Sequence, residues 1–374
     1  MNDDIKKGLL GIVVDETMVS QVMPDINSLT YRGYAVQELC EKCVFEEVAY
    51  LVLNGELPNK AQLKKFKKQL EENRNITINL REIIKHMPKR SHPMDVARTV
   101  VSVMGLEDKE TNNNSPAANM RKALRIFAKT PTAIAAFFRA RKGGNIISPK
   151  KGLSFSENFF YMCFDKVPKK EIVKAFDISL ILYAEHSFNV STFTARTISS
   201  SLSDIHGAIT GAIASLKGSL HGGANEEVMY MFKKIKKPEN AKKWILDALE
   251  KKNLIMGFGH RVYRKGDSRV PTMKKYYLKV AEILKEKKLP KISQILEDVM
   301  IEKKNIHPNL DYPTGPAYHL MGFDTDFFTP IFVISRITGW AAHIMEQHAA
   351  NKLIRPLSKY SGEKYRKVML LNQR

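Results

Sequence analysis

Ser219-Leu220-His221-Gly222-Gly223-Ala224-Asn225 joins two apolar runs that both read as helices. Upstream, 205–216 is rich in Ala, Gly, Ile and Leu; downstream, 226–235 sets Met229, Met231 and Phe232 at core spacing. Paired glycines remove side chains around the imidazole and open backbone conformations closed to other residues. A helix beginning at Asn225 or Glu226 would aim its free N–H groups and positive dipole end at the same place. Taken alone, the stretch also reads as a core histidine beside a helix–helix turn.

Helical periodicity runs outward from it in both directions, from about Val36 onward. Segments 45–53, 60–73, 94–105, 117–142, 170–187, 190–203, 205–217, 225–234, 239–252, 271–288, 292–304 and 327–350 read as helices. Asn54-Gly55 is a C-cap signature, and Asn189-Val-Ser-Thr192 an N-cap cluster. The small side chains of 205–217 let a second helix approach closely, as a core pair or a subunit interface. Only 9–34 is β-like, with 11–14 and 18–22 read as the arms of a small hairpin. With no alternating strand set and no βαβ rhythm, the fold class is all-α.

At 374 residues, with 44% hydrophobic and 26% charged residues, the chain suits a globular protein of two domains. No secretory signal is evident, and Arg336 and His343 interrupt the most apolar window, so no membrane span is expected. Cys40, Cys43 and Cys163 include one C-x-x-C without a second pair. They read as core thiols, the first two on one helix face, in a reducing, cytoplasmic setting. His343, Glu346 and His348 match neither zinc-helix spacing, so no metal site is expected. Sixty basic against 39 acidic residues give a net charge of +21. The lysines are scattered, without interleaved aromatics or a groove-reading motif, which argues against a nucleic-acid partner. Such a surface attracts polyanionic small molecules.

Two more stretches carry reactive side chains. Met256-Gly257-Phe258-Gly259-His260 precedes Arg261, Arg264, Lys265 and Arg269. Val262 replaces the third glycine of a dinucleotide fingerprint and no strand comes before it, so that fold is disfavoured. What remains is exposed backbone beside arginines, the natural readers of carboxylates and phosphates. His307-Pro308-Asn309-Leu310-Asp311-Tyr312-Pro313 sets Asp311 in a proline-bracketed turn between helices, an ordinary place for a turn aspartate. His186, near the end of helix 170–187, has no site signature of its own.

In this order, these stretches resemble the citrate synthase family. The resemblance rests on segments 185–196, 217–225 and 255–263, then on Asp267-Ser268-Arg269, 308–311, 328–332, Ser335-Arg336, Gly339-Trp340 and 353–356. Tyr31-Arg-Gly-Tyr34 and Asn54-Gly-Glu-Leu-Pro58 extend it to the N-terminal part. It implies a helical homodimer with a large domain, 1–222 plus 327–374, and a small domain, 223–326, that closes over the substrates. It implies a catalytic trio of His221, His260 and Asp311. Oxaloacetate would be held by His186, Arg269, Arg336 and Arg355, the last supplied across the dimer interface. Coenzyme A would meet Leu254, Ile255, Met256, Gly257, Phe258 and Gly259, with Arg264 near its phosphates. The thioester is a co-substrate, and no permanently bound cofactor or metal is implied. Ser268 departs from the pattern, since many members have proline before the arginine.

A carboxylate with a pKa near ~4 cannot alone deprotonate carbon beside a thioester. A donor that stabilises the enolate oxygen in a dry site supplies the difference. The resemblance gives His221 that part, Asp311 that of the base, and His260 that of polarising the ketone. Ser91-His-Pro-Met-Asp95 with Arg98, segments 43–49 and 182–186, and Leu310 directly before Asp311 look like the 2-methylcitrate synthase branch. Propionyl-CoA is then the expected acyl donor, with acetyl-CoA as a second. Tyr183 and Leu310 are the candidates for the acyl pocket. The alternatives are a citrate synthase acting mainly on acetyl-CoA and, more remotely, a basic helical binding protein without catalysis.

Overall fold

The structure, a computed structural model, describes residues 5–260, 262–263 and 266–374. Three short strands, β1 (Ser20–Met23), β2 (Ser28–Tyr31) and β3 (Tyr34–Ala35), form an antiparallel sheet in that order. Ser20 pairs with Tyr31 and Met23 with Ser28. The expected hairpin arms are therefore corrected: 11–14 is not a strand, and the pairing starts at Ser20. The turn that closes the hairpin lies after Met23, and Asp15, expected in that turn, instead pairs with Arg196 at 2.8 Å.

Sixteen α-helices follow among the described residues. The first group is α1 (Val36–Lys42), α2 (Phe45–Asn54), α3 (Lys60–Asn73), α4 (Ile78–His86), α5 (Pro93–Glu107) and α6 (Pro116–Ala140). Next come α7 (Phe155–Phe164), α8 (Lys170–Tyr183), α9 (Val190–Ser200), α10 (Ile205–Leu216), α11 (Ala224–Ile235) and α12 (Pro238–Glu250). The last are α13 (Val270–Ile283), α14 (Lys288–Lys304), α15 (Asp311–Leu320) and α16 (Phe328–Ala349).

Helix α16 is buried along most of its length and packs on α6, α9, α10, α2 and α8. A helix apolar on all sides belongs inside a larger core rather than on its surface. No helix among the described residues is long and apolar enough to cross a membrane. Gly55 ends α2 at φ 96°, a left-handed cap that glycine adopts without strain. Small residues bring α10 close to α9: a Cβ on Gly211 would lie 2.2 Å from Ile198 Cδ1. Within the chain, this close approach makes a core helix pair. Helices α4, α7 and α15 have no counterpart in the sequence reading. In α7, Phe155, Phe159, Phe160, Met162 and Cys163 are all buried, which blurs the one-sided apolar stripe that marks a surface helix. Helix α1 ends at Lys42, so Cys43 is its extended C-cap and does not share a helix face with Cys40; both thiols are buried.

Candidate active site

The C-terminal end of α8, the turn between α10 and α11, the loop before α13, the start of α15 and the middle of α16 converge on one cavity of about 1860 Å³. It is lined by His186, His221, His260, Arg269, Asp311 and Arg336 together with Tyr183, Leu310 and the loop 254–259. The N-terminal residues 8–18 form another wall.

His221 sits in the turn leading to α11, which starts at Ala224. The glycines beside it are needed for space, not for a left-handed backbone. A Cβ on Gly222 would meet Leu216 Cδ1 at 2.5 Å, and Gly223 has φ −68°. The Ser191 N–H donates to His221 Nε2 at 3.3 Å, and Ser191 Oγ lies 2.9 Å from the same nitrogen. Trp340 Nε1–H donates to that hydroxyl at 3.2 Å and holds it in place. A ring nitrogen that accepts from a backbone N–H carries no proton, so the imidazole proton is assigned to Nδ1. Burial, reinforced by the charge of Arg336, holds the His221 pKa down to about 3. The ring is therefore a neutral donor.

His260 has the opposite tautomer. Its Nδ1 accepts from the N–H groups of Val262 and Tyr263 at 3.0 and 3.1 Å, which leaves the proton on Nε2. Burial, then Arg269, lowers its pKa to about 4. His260 is a second neutral donor.

Asp311 is not in an isolated turn. It is the first residue of α15, and its Oδ1 accepts from the Tyr183 hydroxyl at 2.6 Å. Burial raises its pKa to about 6, against the lowering effects of the Tyr183 hydrogen bond and Arg269. A carboxylate poised there is a stronger base than an ordinary aspartate yet still ionised at neutral pH.

Two guanidiniums make the floor. Arg269 binds Asp267 through Nε and Nη2 at 2.9 and 2.7 Å, a fork-to-fork pair that raises its pKa despite burial. Arg336 is 1% exposed; its Nε donates to the Tyr183 carbonyl at 2.6 Å and its Cζ lies 4.6 Å from the Phe332 ring centroid. Burial pushes its pKa down to about 10. Arg336 Nη1 and His186 Nε2 are buried without a hydrogen-bond partner among the described residues. Burial, then Arg269, holds the His186 pKa well below its ordinary value, and its ring lies 5.1 Å from that of His260. Buried polar atoms without partners are costly unless a ligand meets them. Their chemistry suits a small dicarboxylate.

The loop 254–259 is pinned to the strand-like segment before α15. Gly259 N–H donates to the His307 carbonyl and Asn309 N–H to the Gly257 carbonyl, both at 2.9 Å. Gly257 and Gly259 have φ of 82° and 80°, the left-handed region where glycine is unstrained. Arg264 lies outside the described residues. Arg355 is exposed in the C-terminal segment and does not line the cavity of this chain.

Four residues in the site carried no role in the sequence reading. Ser191 and Asn189 lie in the cap cluster, with Asn189 Oδ1 2.8 Å from Ser191 Oγ. Asp267 precedes Arg269 closely enough for its charge to have been a signal. Phe332 offered none, being one apolar residue in an apolar helix; its ring centroid is 4.0 Å from that of Tyr183.

A base beside two neutral donors, above a cationic floor, can remove a proton next to a carbonyl while stabilising the enolate formed. Residues 8–357 match the family model described as citrate synthase, C-terminal domain. A 2-methylcitrate synthase of Mycobacterium tuberculosis is 52% identical over 97% of this chain and 92% of its own length. A citrate synthase of Mycolicibacterium smegmatis is 51% identical over 98% of this chain and 97% of its own. Among solved structures, the ternary complex of citrate synthase from Thermoplasma acidophilum with carboxymethyl coenzyme A and oxaloacetate superimposes with a TM-score of 0.94. It is 31% identical and covers 99% of this chain and 100% of that one.

Proposed function

This chain belongs to the citrate synthase family and is an enzyme of that type, and we propose that it condenses propionyl-CoA with oxaloacetate and water to give 2-methylcitrate and coenzyme A. Acetyl-CoA would serve as a second donor, giving citrate. The observation that carries the chemistry is the convergence of Asp311, with its pKa near 6, and the neutral His221 and His260 on one cavity with a cationic floor. The name shared by relatives at 52% and 49% identity supports the propionyl preference.

In this reading oxaloacetate lies on Arg269, Arg336 and His186, with Arg336 Nη1 and His186 Nε2 turned to its carboxylates. Asp311 takes a proton from the α-carbon of the thioester. His221 Nδ1–H donates to the thioester oxygen as negative charge develops there, a contribution of about 3–4 kcal/mol for one well-placed donor. His260 Nε2–H donates to the ketone of oxaloacetate, where the new carbon–carbon bond makes an alkoxide. Water then cleaves the acyl–sulfur bond and releases coenzyme A. The coenzyme would lie along 254–259, brought near by closure of residues 223–326 over the cavity.

The assembly proposed is a homodimer in the cytoplasm, with Arg355 reaching the partner's site. The C-terminal segment supports this: Leu357, Val368 and Leu371 are each 80% exposed or more, an apolar surface that calls for cover.

The second reading, a citrate synthase acting mainly on acetyl-CoA, is favoured by the Mycolicibacterium relative at 51% identity. Oxaloacetate-dependent thiol release with each thioester separates the two, with Asp311→Ala as the control. Higher kcat/KM with propionyl-CoA is expected. A clear acetyl-CoA preference would overturn the branch, and salt-sensitive DNA binding without thiol release would overturn both.

A further inference from the structure

The Ser91–Asp95 motif has no part in the chemistry above, and the structure places it against the turn that carries His221. His92 is the N-cap of α5, where its Nδ1 accepts from Met94 N–H at 3.2 Å. Its proton therefore lies on Nε2, which donates to Glu226 Oε2 at 3.1 Å. The other oxygen of Glu226 accepts from the backbone N–H of Thr329 at 3.3 Å and from the Thr329 hydroxyl. Thr329 is in the first turn of α16, and Glu226 is itself in the first turn of α11. One carboxylate thus joins the N-terminal ends of α5, α11 and α16, the positive ends of three helix dipoles. It is 6% exposed, so solvent screens the arrangement little. Thr329 Oγ also lies 3.5 Å from the carbonyl oxygen of Gly222, the residue after His221. On the other shoulder of the turn, Lys217 Nζ binds both oxygens of Asp95 at 2.9 and 2.7 Å. That pair is half-exposed and contributes little by itself.

We propose that Glu226, held by His92 and Thr329, is a positioning residue that fixes the His221 turn for enolate stabilisation. The role rests on the condensation described above. The carboxylate does not line the cavity, so its effect passes through the geometry of His221. Small displacements of a catalytic group lower the rate without weakening a substrate bound elsewhere. Oxaloacetate, seated on Arg269, Arg336 and His186, is such a substrate.

The test measures kcat, the calorimetric affinity for oxaloacetate and thermal melting for the wild type, Glu226→Ala, His92→Leu and His92→Gln. Glu226→Ala and His92→Leu are expected to lower kcat about 10- to 100-fold, with oxaloacetate affinity unchanged. His92→Gln, which keeps an N–H donor for Glu226, is expected to recover most of the loss. Retained kcat in both disrupted variants overturns the proposal. So does an equal loss of kcat and oxaloacetate affinity, or a failure of His92→Gln to exceed His92→Leu. If Glu226→Ala does not fold, the two variants at the partly exposed His92 decide the matter. A wild type that condenses neither thioester overturns the functional reading instead; an active wild type with unaffected variants overturns only the positioning role.

Discussion

The Tyr183 hydroxyl donates to Asp311 Oδ1 across 2.6 Å, joining the last residue of α8 to the first of α15. This bond stabilises the ionised carboxylate, while burial favours the protonated one and raises the pKa to about 6. Asp311 must be ionised to accept a proton. The value of kcat/KM is therefore expected to fall as pH drops through about 6. His221 and His260 stay neutral to well below that pH and do not set this limb. Tyr183→Phe removes a pKa-lowering partner, so the limb should move to higher pH. A pH–rate profile of both proteins checks the sign, and an unmoved or lowered limb contradicts it.

Arg336 should control oxaloacetate more than the thioester. Its guanidinium is buried, with Nη1 unpartnered among the described residues. Arg336→Gln is expected to weaken oxaloacetate binding by about 2–5 kcal/mol, the usual loss when one member of a buried charge pair is removed. Calorimetry with oxaloacetate alone measures this. Wild-type affinity in the variant would place the dicarboxylate elsewhere.

Leu310 is 2% exposed and lines the cavity next to Asp311. Leu310→Val opens space there and should move the propionyl-to-acetyl ratio of kcat/KM toward the larger group. A change of one methylene in an apolar pocket limits the shift to about 1–3 kcal/mol. Steady-state rates with both thioesters give the ratio, and an unchanged value removes Leu310 from the acyl pocket.

Gly257 combines φ of 82° with no room for a side chain, since a Cβ would lie 2.5 Å from Val228 Cγ2. Gly257→Ala should cost roughly 1–3 kcal/mol of stability through backbone strain and overpacking. It should also raise KM for the thioester, because the loop 254–259 would shift. Thermal unfolding and thioester titration test the two effects separately.

The helices most legible in advance were those with clear ends. Asn59 and Gln62 cap α3 reciprocally, and Gly55 closes α2 in the left-handed region, both local interactions written within a few residues. The strands were less legible because 11–14 and 18–22 are both short and rich in β-branched residues, and only pairing with 28–31 separates them. Helix α7 was hidden because its burial follows from packing partners far along the chain, such as Phe323 against Phe159 and Phe160. His186 lacked a residue-level signature; the resemblance alone pointed to it, and it lines the cavity.

The sequence by itself determined the helical class, the capped helix ends and the identity of each chemically competent side chain. These depend on short-range periodicity, capping and side-chain type. Only the tertiary structure decided protonation and tautomer: His221 and His260 are neutral with opposite tautomers, and Asp311 is raised to about 6. Those properties come from burial and from partners such as Ser191 and Tyr183, brought in from distant parts of the chain. A residue type names the groups available for chemistry, but the dielectric and the hydrogen bonds that set their strength exist only once the chain has folded.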